Sequence, residues 1–144
     1  MPLDQRPDDG RSLTFDTEPL AARTEILGAP VVELDLAVDE PNALLAVRLN
    51  EVQPDGTSTL VTYGLLNLTH RESHAQPEAL EPGRFYRVRV QLNDIAHASP
   101  AGHRIRIAVS TSYWPIAWPS PAAVILSLRT GNSVLYLPVR PAAP

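Results

Sequence analysis

The first chemistry to look for in this sequence is that of a hydrolytic serine. Serine hydrolases of the α/β type place the nucleophile on a Gly-x-Ser-x-Gly elbow between a strand and a helix. The nearest strings are Gly10-Arg11-Ser12 and Gly131-Asn132-Ser133, and both lack the second glycine. A triad would also need a base and an orienting acid beside the nucleophile. We therefore predict that this chain alone is not an enzyme and contains no catalytic residue.

Histidines are the next candidates, because an imidazole can bind a metal or move a proton near neutral pH. His70 and His74 are four residues apart, a spacing that suits zinc on a helix. Here the string follows a predicted strand, lies in a proline-bearing loop and has only Glu72 as a third donor. A solvated loop is favoured, so we predict no metal site and no cofactor. His103 follows Gly102, and its ring is expected to hydrogen-bond across that turn.

Tyr113, Trp114 and Trp118 form the remaining candidate site, on a segment that also holds Pro115 and Pro119. Proline fixes φ and removes a backbone donor, so the segment should be a stiff loop. Its rings have three alternative roles: they close the core, they anchor a protein interface, or they stack on a sugar. With His103, these three aromatic residues are the interface or ligand candidates of the sequence.

The elements that must position these residues are strands. Ile105, Ile107 and Val109 alternate with polar or small residues, the period of two that indicates a strand with one buried face. Similar alternation covers 32–38, 45–49, 58–68 and 86–92, and two short strands are predicted near 124–128 and 133–139. The string Gln53-Pro54-Asp55-Gly56-Thr57 predicts a hairpin turn. About eight strands with frequent turns predict an all-β sandwich or barrel.

Composition limits the other classes of function. The chain has 144 residues, which suits one domain, and we expect residues 1–11 to be a linker or N-terminal tail and residues 12–144 to be the β domain. A net charge of −4 with twelve scattered arginines and no lysine argues against nucleic acid as a partner. No apolar run is long enough to span a membrane, and the acidic start does not resemble a secretory signal. A cytoplasmic location is expected.

Four spaced strings carry a family resemblance. They are Gly28-Ala29-Pro30-Val31-Val32-Glu33-Leu34, Val47-Arg48-Leu49-Asn50-Glu51-Val52-Gln53-Pro54-Asp55-Gly56, Leu80-Glu81-Pro82-Gly83 and Pro100-Ala101-Gly102-His103-Arg104-Ile105. Together they resemble the C-terminal domain of the X-prolyl dipeptidyl peptidase and cocaine esterase family of serine hydrolases, over roughly Ser12 to Val139. One departure is the string Tyr113-Trp114-Pro115-Ile116-Ala117-Trp118-Pro119, where many members carry a Phe-Pro-Arg-like string and a longer insertion.

The resemblance implies a jelly-roll β-sandwich, galactose-binding-domain-like, that carries none of the triad. In that family an α/β-hydrolase domain precedes the sandwich, and the whole enzyme cleaves amide or ester bonds, dipeptidyl-peptidase activity included. The implied role is to pack on and stabilise that hydrolase domain, in the same chain or in trans. Self-association of the isolated domain is also expected. The alternative is a free-standing carbohydrate-binding module that uses the Tyr113, Trp114 and Trp118 loop.

Overall fold

The structure is a computed structural model that describes residues 4–141, and its regular elements are nearly all strands. The first three residues of the predicted tail (1–11) and the last three of the predicted β domain (12–144) lie outside the described residues. The strands are β1 (Leu13–Asp16), β2 (Thr24–Gly28), β3 (Val31–Val38), β4 (Leu44–Val52), β5 (Ser58–Asn67), β6 (Tyr86–Gln91), β7 (Ile95–Ser99), β8 (Arg104–Ser110), β9 (Leu126–Leu128) and β10 (Val134–Tyr136). One helical turn, α1 (Arg6–Asp9), precedes them, and two 3-10 turns lie at Leu68–His70 and Thr130–Asn132.

Two antiparallel sheets form a sandwich. The first sheet has the order β1-β8-β4-β5, and the second has β3 at its centre with β6 on one side and β9 and β10 on the other. β2 and β7 make a separate two-stranded ribbon. The chain crosses between the two sheets after β3, β5 and β8, as it does in a jelly roll. The predicted all-β jelly-roll sandwich is therefore confirmed.

The core lies between the two sheets and follows the alternation of the sequence. Leu34 and Leu36 point inward from β3, whereas Glu33 and Asp35, which alternate with them, point outward. Each fully buried aliphatic side chain of this kind contributes roughly 1.5–3 kcal/mol through the hydrophobic effect. The buried cluster draws on β2, β3, β4, β6 and β8, so the core joins both sheets.

β4 departs from simple alternation because both of its faces are buried. Leu45, Val47 and Leu49 face the core, while Arg48 and Asn50 on the opposite face are 1% and 0% exposed. A sheet surface that faced water would leave such polar side chains hydrated. Another part of the chain must therefore cover the outer face of the first sheet.

That cover is the N-terminal segment, residues 4–12. Gln5 and Asp9 are buried, and the backbone N–H of Gln5 donates to Ser58 O at 2.8 Å. Pro7 stands in the first turn of α1, where a missing N–H costs nothing. The part of the expected linker that the structure describes thus lies against the sandwich; a division of the chain at residue 12 stays a prediction.

The largest difference from the predicted elements is β7. The sequence predicts a loop from Asn93 to Gly102, but Ile95–Ser99 is a strand in register with β2. The segment reads Ile-Ala-His-Ala-Ser, which has no strong alternation, so its strand conformation depends on pairing with a partner far away in sequence.

No helix among residues 4–141 is long and apolar enough to cross a membrane.

Candidate functional site

The loop between β8 and β9 is the candidate site that the sequence singles out, and it is tied to the sandwich at several points. Ala117 N donates to Tyr113 O at 2.8 Å and closes the first turn of the loop. Leu44 N donates to Ser120 Oγ at 2.9 Å, and Ile125 N donates to Asp39 Oδ1 at 2.8 Å. The loop therefore lies across the connection between β3 and β4.

The two indoles of this loop point away from the core. Trp114 is 62% exposed and Trp118 is 82% exposed. Their ring centroids lie 5.4 Å apart with 62° between the planes, an edge-to-face pair. Burial of a large aromatic ring is normally strongly favourable, so two neighbouring exposed indoles are an unusual feature of a folded domain.

Tyr113 behaves differently from the tryptophans, because it is only 6% exposed. Its ring stands edge-on to Tyr63 at 5.7 Å, and the Arg48 guanidinium lies over it, 5.5 Å from the centroid. Burial raises the pKa of the Tyr113 hydroxyl, since the phenolate would lose its hydration. Of the three predicted aromatic residues, one belongs to the folded interior and two face outward.

Beneath Tyr113 lies a buried polar cluster centred on Asp9. Arg48 Nη1 donates to Asp9 Oδ1 at 2.8 Å, and Asn50 Nδ2 donates to the same oxygen at 2.9 Å. Ser58 Oγ and Arg106 Nη1 donate to Asp9 Oδ2 at 2.7 and 3.1 Å. Such a fully bonded carboxylate compensates for the cost of burying charge. The arrangement is structural, because both Asp9 oxygens already accept hydrogen bonds from these four side chains.

His103 is not isolated in its turn, since it faces a buried carboxylate on β4. His103 Nδ1 lies 3.4 Å from Glu51 Oε2, and His97 Nε2 of β7 lies 3.1 Å from Glu51 Oε1. Glu51 is 8% exposed. The three side chains join the β2–β7 ribbon and the turn before β8 to the first sheet.

The Glu51 carboxylate is held in its charged form. Burial alone would raise its pKa, but the contact with His97 and the nearby side chains of Ser99 and His103 leave the pKa below its usual value. The stabilising contacts of the anion thus outweigh the lost hydration. A carboxylate that is charged and already paired is poorly suited to accept a proton from a substrate.

The serines that follow Gly10-Arg11 and Gly131-Asn132 have structural partners. Ser12 Oγ donates to Asp8 O at 2.8 Å and accepts from Arg48 Nη2 at 2.9 Å. Ser133 Oγ donates to Arg129 O at 2.9 Å. No histidine is bonded to either hydroxyl in residues 4–141, so neither serine has the base that a nucleophile requires.

An apolar groove of about 290 Å³ opens between the free edges of the two sheets. Its floor is formed by Leu34 and Ile107, and its rim by Phe15 and Val134. Leu13 and Phe15 pair with Val109 and Ile107 and share their inward direction, yet they are 42% and 40% exposed. No strand of the second sheet covers them. The groove is thus a second uncovered apolar surface.

Comparison with known proteins identifies the family of this domain. Residues 2–141 match the family described as the X-Pro dipeptidyl-peptidase C-terminal non-catalytic domain. The chain belongs to this family. The resemblance read from the four spaced strings is therefore confirmed, and the absence of a serine elbow agrees with a non-catalytic domain.

Individual members of the family are much longer than this chain. A cocaine esterase of Rhodococcus sp. (strain MB1 Bresler) is 29% identical over 116 residues, which cover 79% of this chain and 20% of the esterase. An Xaa-Pro dipeptidyl-peptidase of Lacticaseibacillus rhamnosus is 23% identical over 160 residues, covering 86% of this chain and 20% of that enzyme. The chain thus spans about a fifth of these relatives.

Solved structures show the same fold within hydrolases. An alpha-amino acid ester hydrolase superposes with a TM-score of 0.88 at 26% identity, over 96% of this chain and 27% of that chain. An aminopeptidase from a marine sediment Thaumarchaeota archaeon gives a TM-score of 0.87 at 22% identity with the same coverage. The same sandwich is therefore a recurring module of longer hydrolase chains.

Sequence reasoning missed two clusters that the structure brings together. Asp9 stood in the expected linker, His97 stood in an expected loop, and Glu51 appeared only as part of a family string. Only a weak indication of the buried cluster was present in the sequence. Arg48 and Asn50 are polar, and they occupy successive positions on the outer face of a strand whose other residues are mostly apolar. Buried pairing between residues about forty positions apart leaves no local pattern.

Proposed function

We propose that this chain is the C-terminal accessory domain of a serine hydrolase similar to the X-prolyl dipeptidyl peptidases and cocaine esterases. It packs on an α/β-hydrolase domain, stabilises that domain and helps to wall its substrate cleft. The whole protein then cleaves an amide or ester bond with a triad that lies outside this chain. The observation that carries the proposal is the pair of exposed indoles, Trp114 and Trp118, on a loop fixed to the sandwich.

Exposed indoles on an anchored loop suit a protein interface for an energetic reason. Trp is among the residues that contribute most to binding energy when it fills a pocket on the partner. Hydrogen bonds at Leu44 and Ile125 already restrain the loop, so docking orders little additional chain. Less entropy is lost, and more of the contact energy appears as affinity.

The size of the relatives supports the same role. The matched region is about a fifth of the cocaine esterase and of the Xaa-Pro dipeptidyl-peptidase, so in those proteins four fifths of the chain lie outside it. The apolar groove rimmed by Phe15 and Val134 supplies further uncovered surface on the same molecule. A domain that packs on a larger neighbour would cover both features.

The test is binding in trans to a matched α/β-hydrolase domain, measured by titration calorimetry and tryptophan fluorescence. We expect the wild-type chain to bind and its indole emission to change. The double variant Trp114→Ala/Trp118→Ala should keep its melting temperature and lose at least about tenfold in affinity, or about 1.4 kcal/mol. Unchanged affinity in this variant would show that the loop is not the interface.

Tyr113→Ala is the matched control from the same loop. Because Tyr113 is buried, its truncation should lower the free energy of unfolding by about 3–5 kcal/mol. The carbohydrate-binding alternative predicts instead that the isolated chain binds a sugar through its indoles. Heat or fluorescence change with one sugar of a panel, lost in the double variant, would favour that alternative over the accessory role.

A further inference from the structure

His70 and His74 form a pair whose geometry resembles two ligands of one metal ion. Their Nδ1 atoms lie 3.1 Å apart, with ring centroids at 5.2 Å and 46° between the planes. Metal–nitrogen bonds of ~2.0–2.1 Å place two ligand nitrogens ~2.9 Å apart at a right angle and ~3.3 Å apart at a tetrahedral angle. The observed separation lies between these two values.

The loop holds the pair in this arrangement through its own hydrogen bonds. Asn67 Oδ1 accepts from Thr69 N and caps the 3-10 turn that carries His70. Arg71 Nη1 donates to Leu68 O and Glu78 O at 3.0 and 2.7 Å, and its guanidinium lies 4.4 Å from the Tyr86 ring centroid. These contacts fix the backbone on both sides of the pair, so little ordering is needed for binding.

The surroundings of the two rings leave room for an ion. His74 is exposed and His70 is partly exposed, so solvent reaches the pair. No carboxylate of residues 4–141 lies within ion-pair distance of either ring. No group of three or more His, Cys, Asp or Glu side chains in that range is arranged to hold a metal. Water must therefore supply the other ligands.

We propose, in contrast to the sequence prediction of no metal site, that His70 and His74 bind one divalent transition-metal ion of the kind that prefers imidazole, with zinc, nickel and copper as the candidates. Without metal, one ring donates its Nδ1 proton to the Nδ1 of the other. On binding, both Nδ1 lone pairs coordinate the ion, and the displaced proton moves to Nε2 of its own ring through solvent. No net proton leaves the neutral pair, and no redox step is involved.

The second histidine pair of the molecule is the natural comparison. His97 and His103 approach different oxygens of Glu51 and are 31% and 19% exposed at the side chain. A metal there would have to displace contacts that stabilise a buried carboxylate. We therefore assign binding to the His70–His74 pair alone.

The test uses the full chain without an affinity tag, titrated with zinc chloride by calorimetry in mildly alkaline buffer. We expect saturable binding of one ion per chain. His70→Gln and His74→Gln should each weaken it at least about tenfold, whereas His97→Gln should leave it unchanged. Circular dichroism checks that each variant is folded, and His70→Asn and His74→Asn replace any that is not.

A second measurement locates the ion directly. Substoichiometric nickel should broaden the imidazole proton resonances of His70 and His74 and spare those of His97 and His103. The proposal is overturned by absence of saturable zinc binding, by wild-type zinc affinity in both His70→Gln and His74→Gln, or by broadening confined to the other two histidines.

Discussion

Asp9 is the single residue on which most of the buried polar contacts depend. Its two oxygens accept from Arg48, Asn50, Ser58 and Arg106. Both its own side chain and that of Arg48 are at most 4% exposed. Loss of one partner of a buried ion pair leaves the other charge uncompensated, which is more costly than loss of any surface pair.

Asp9→Asn should therefore lower the free energy of unfolding by about 3–5 kcal/mol, measured by urea denaturation. Asp4→Asn is the matched control on the same segment, because Asp4 pairs with Arg6 at the surface. The control variant should unfold at the wild-type midpoint. Equal, small effects of both changes would contradict a central role for Asp9.

Glu51 gives the molecule an acid-sensitive contact. Its pKa is lower in the folded chain than in the unfolded chain, so the unfolded state binds its proton first as pH falls. The stabilisation is complete above the unfolded pKa of about 4.3 and is lost as pH falls through the folded value. Glu51→Gln removes this part of the pH dependence.

Melting temperatures recorded from neutral pH to about pH 3 measure the effect. The difference between wild type and Glu51→Gln should shrink as the solution is acidified below the usual range of a glutamate pKa. Glu33→Gln, which removes a partner of Arg87 at the half-exposed surface, is the matched control. If the two melting temperatures differ by the same amount at every pH, the charge of Glu51 does not contribute to stability.

Among the elements, β5 approaches the second sheet closely at Gly64. A Cβ added there would lie 2.8 Å from Leu92 Cδ2 and 2.9 Å from Gln91 O. The backbone oxygen cannot rotate away as a side chain can. The glycine thus allows the end of β6 to pack directly on β5, and its small size is a requirement of the sandwich.

Gly64→Ala should destabilise the domain by about 1–3 kcal/mol through overpacking, as measured by thermal or urea unfolding. Gly131→Ala is the control, since a Cβ at that position meets no atom within 4 Å and φ is not in the left-handed region. If both variants unfold alike, the two sheets have enough freedom to separate and the close contact is unimportant.

At the scale of the whole molecule, the chain is a non-catalytic domain with uncovered apolar surface. The purified chain should hydrolyse neither p-nitrophenyl esters nor X-prolyl anilides above background, because it belongs to a non-catalytic family and its sequence has no Gly-x-Ser-x-Gly elbow. A serine-directed fluorophosphonate probe is the sharper measurement. Stoichiometric labelling of this chain would overturn the expectation.

The exposed indoles also predict how the isolated domain behaves at high concentration. An apolar patch without its partner tends to associate with another copy, because burial of apolar area is favourable whatever the partner. Sedimentation should show concentration-dependent self-association that Trp114→Ala/Trp118→Ala reduces. Replacement of Leu65, an exposed apolar residue on β5, by Ala is the control. A monomer at every concentration would argue against the patch.

The fold class and the family were both predictable from the amino-acid sequence alone. Alternation of apolar residues is local information, and it predicted β3, β4, β6 and β8 because side chains of a strand point to opposite faces in turn. The turn at Gln53–Thr57 was also predicted from the sequence, and in the structure Gly56 adopts a positive φ of 88° there. The four spaced strings and the lack of a serine elbow indicated a non-catalytic domain. Both could be judged from the sequence because each concerns short, contiguous motifs.

Which candidate residues face outward and which belong to the interior became clear only from the three-dimensional fold. Tyr113 and Trp114 are neighbours in sequence, yet one lies under Arg48 and the other faces solvent. The strand conformation of Ile95–Ser99 and the burial of Asp9 likewise depend on partners far along the chain. Burial and pairing of this kind are set by where the sheets bring distant segments together, and no local pattern encodes that.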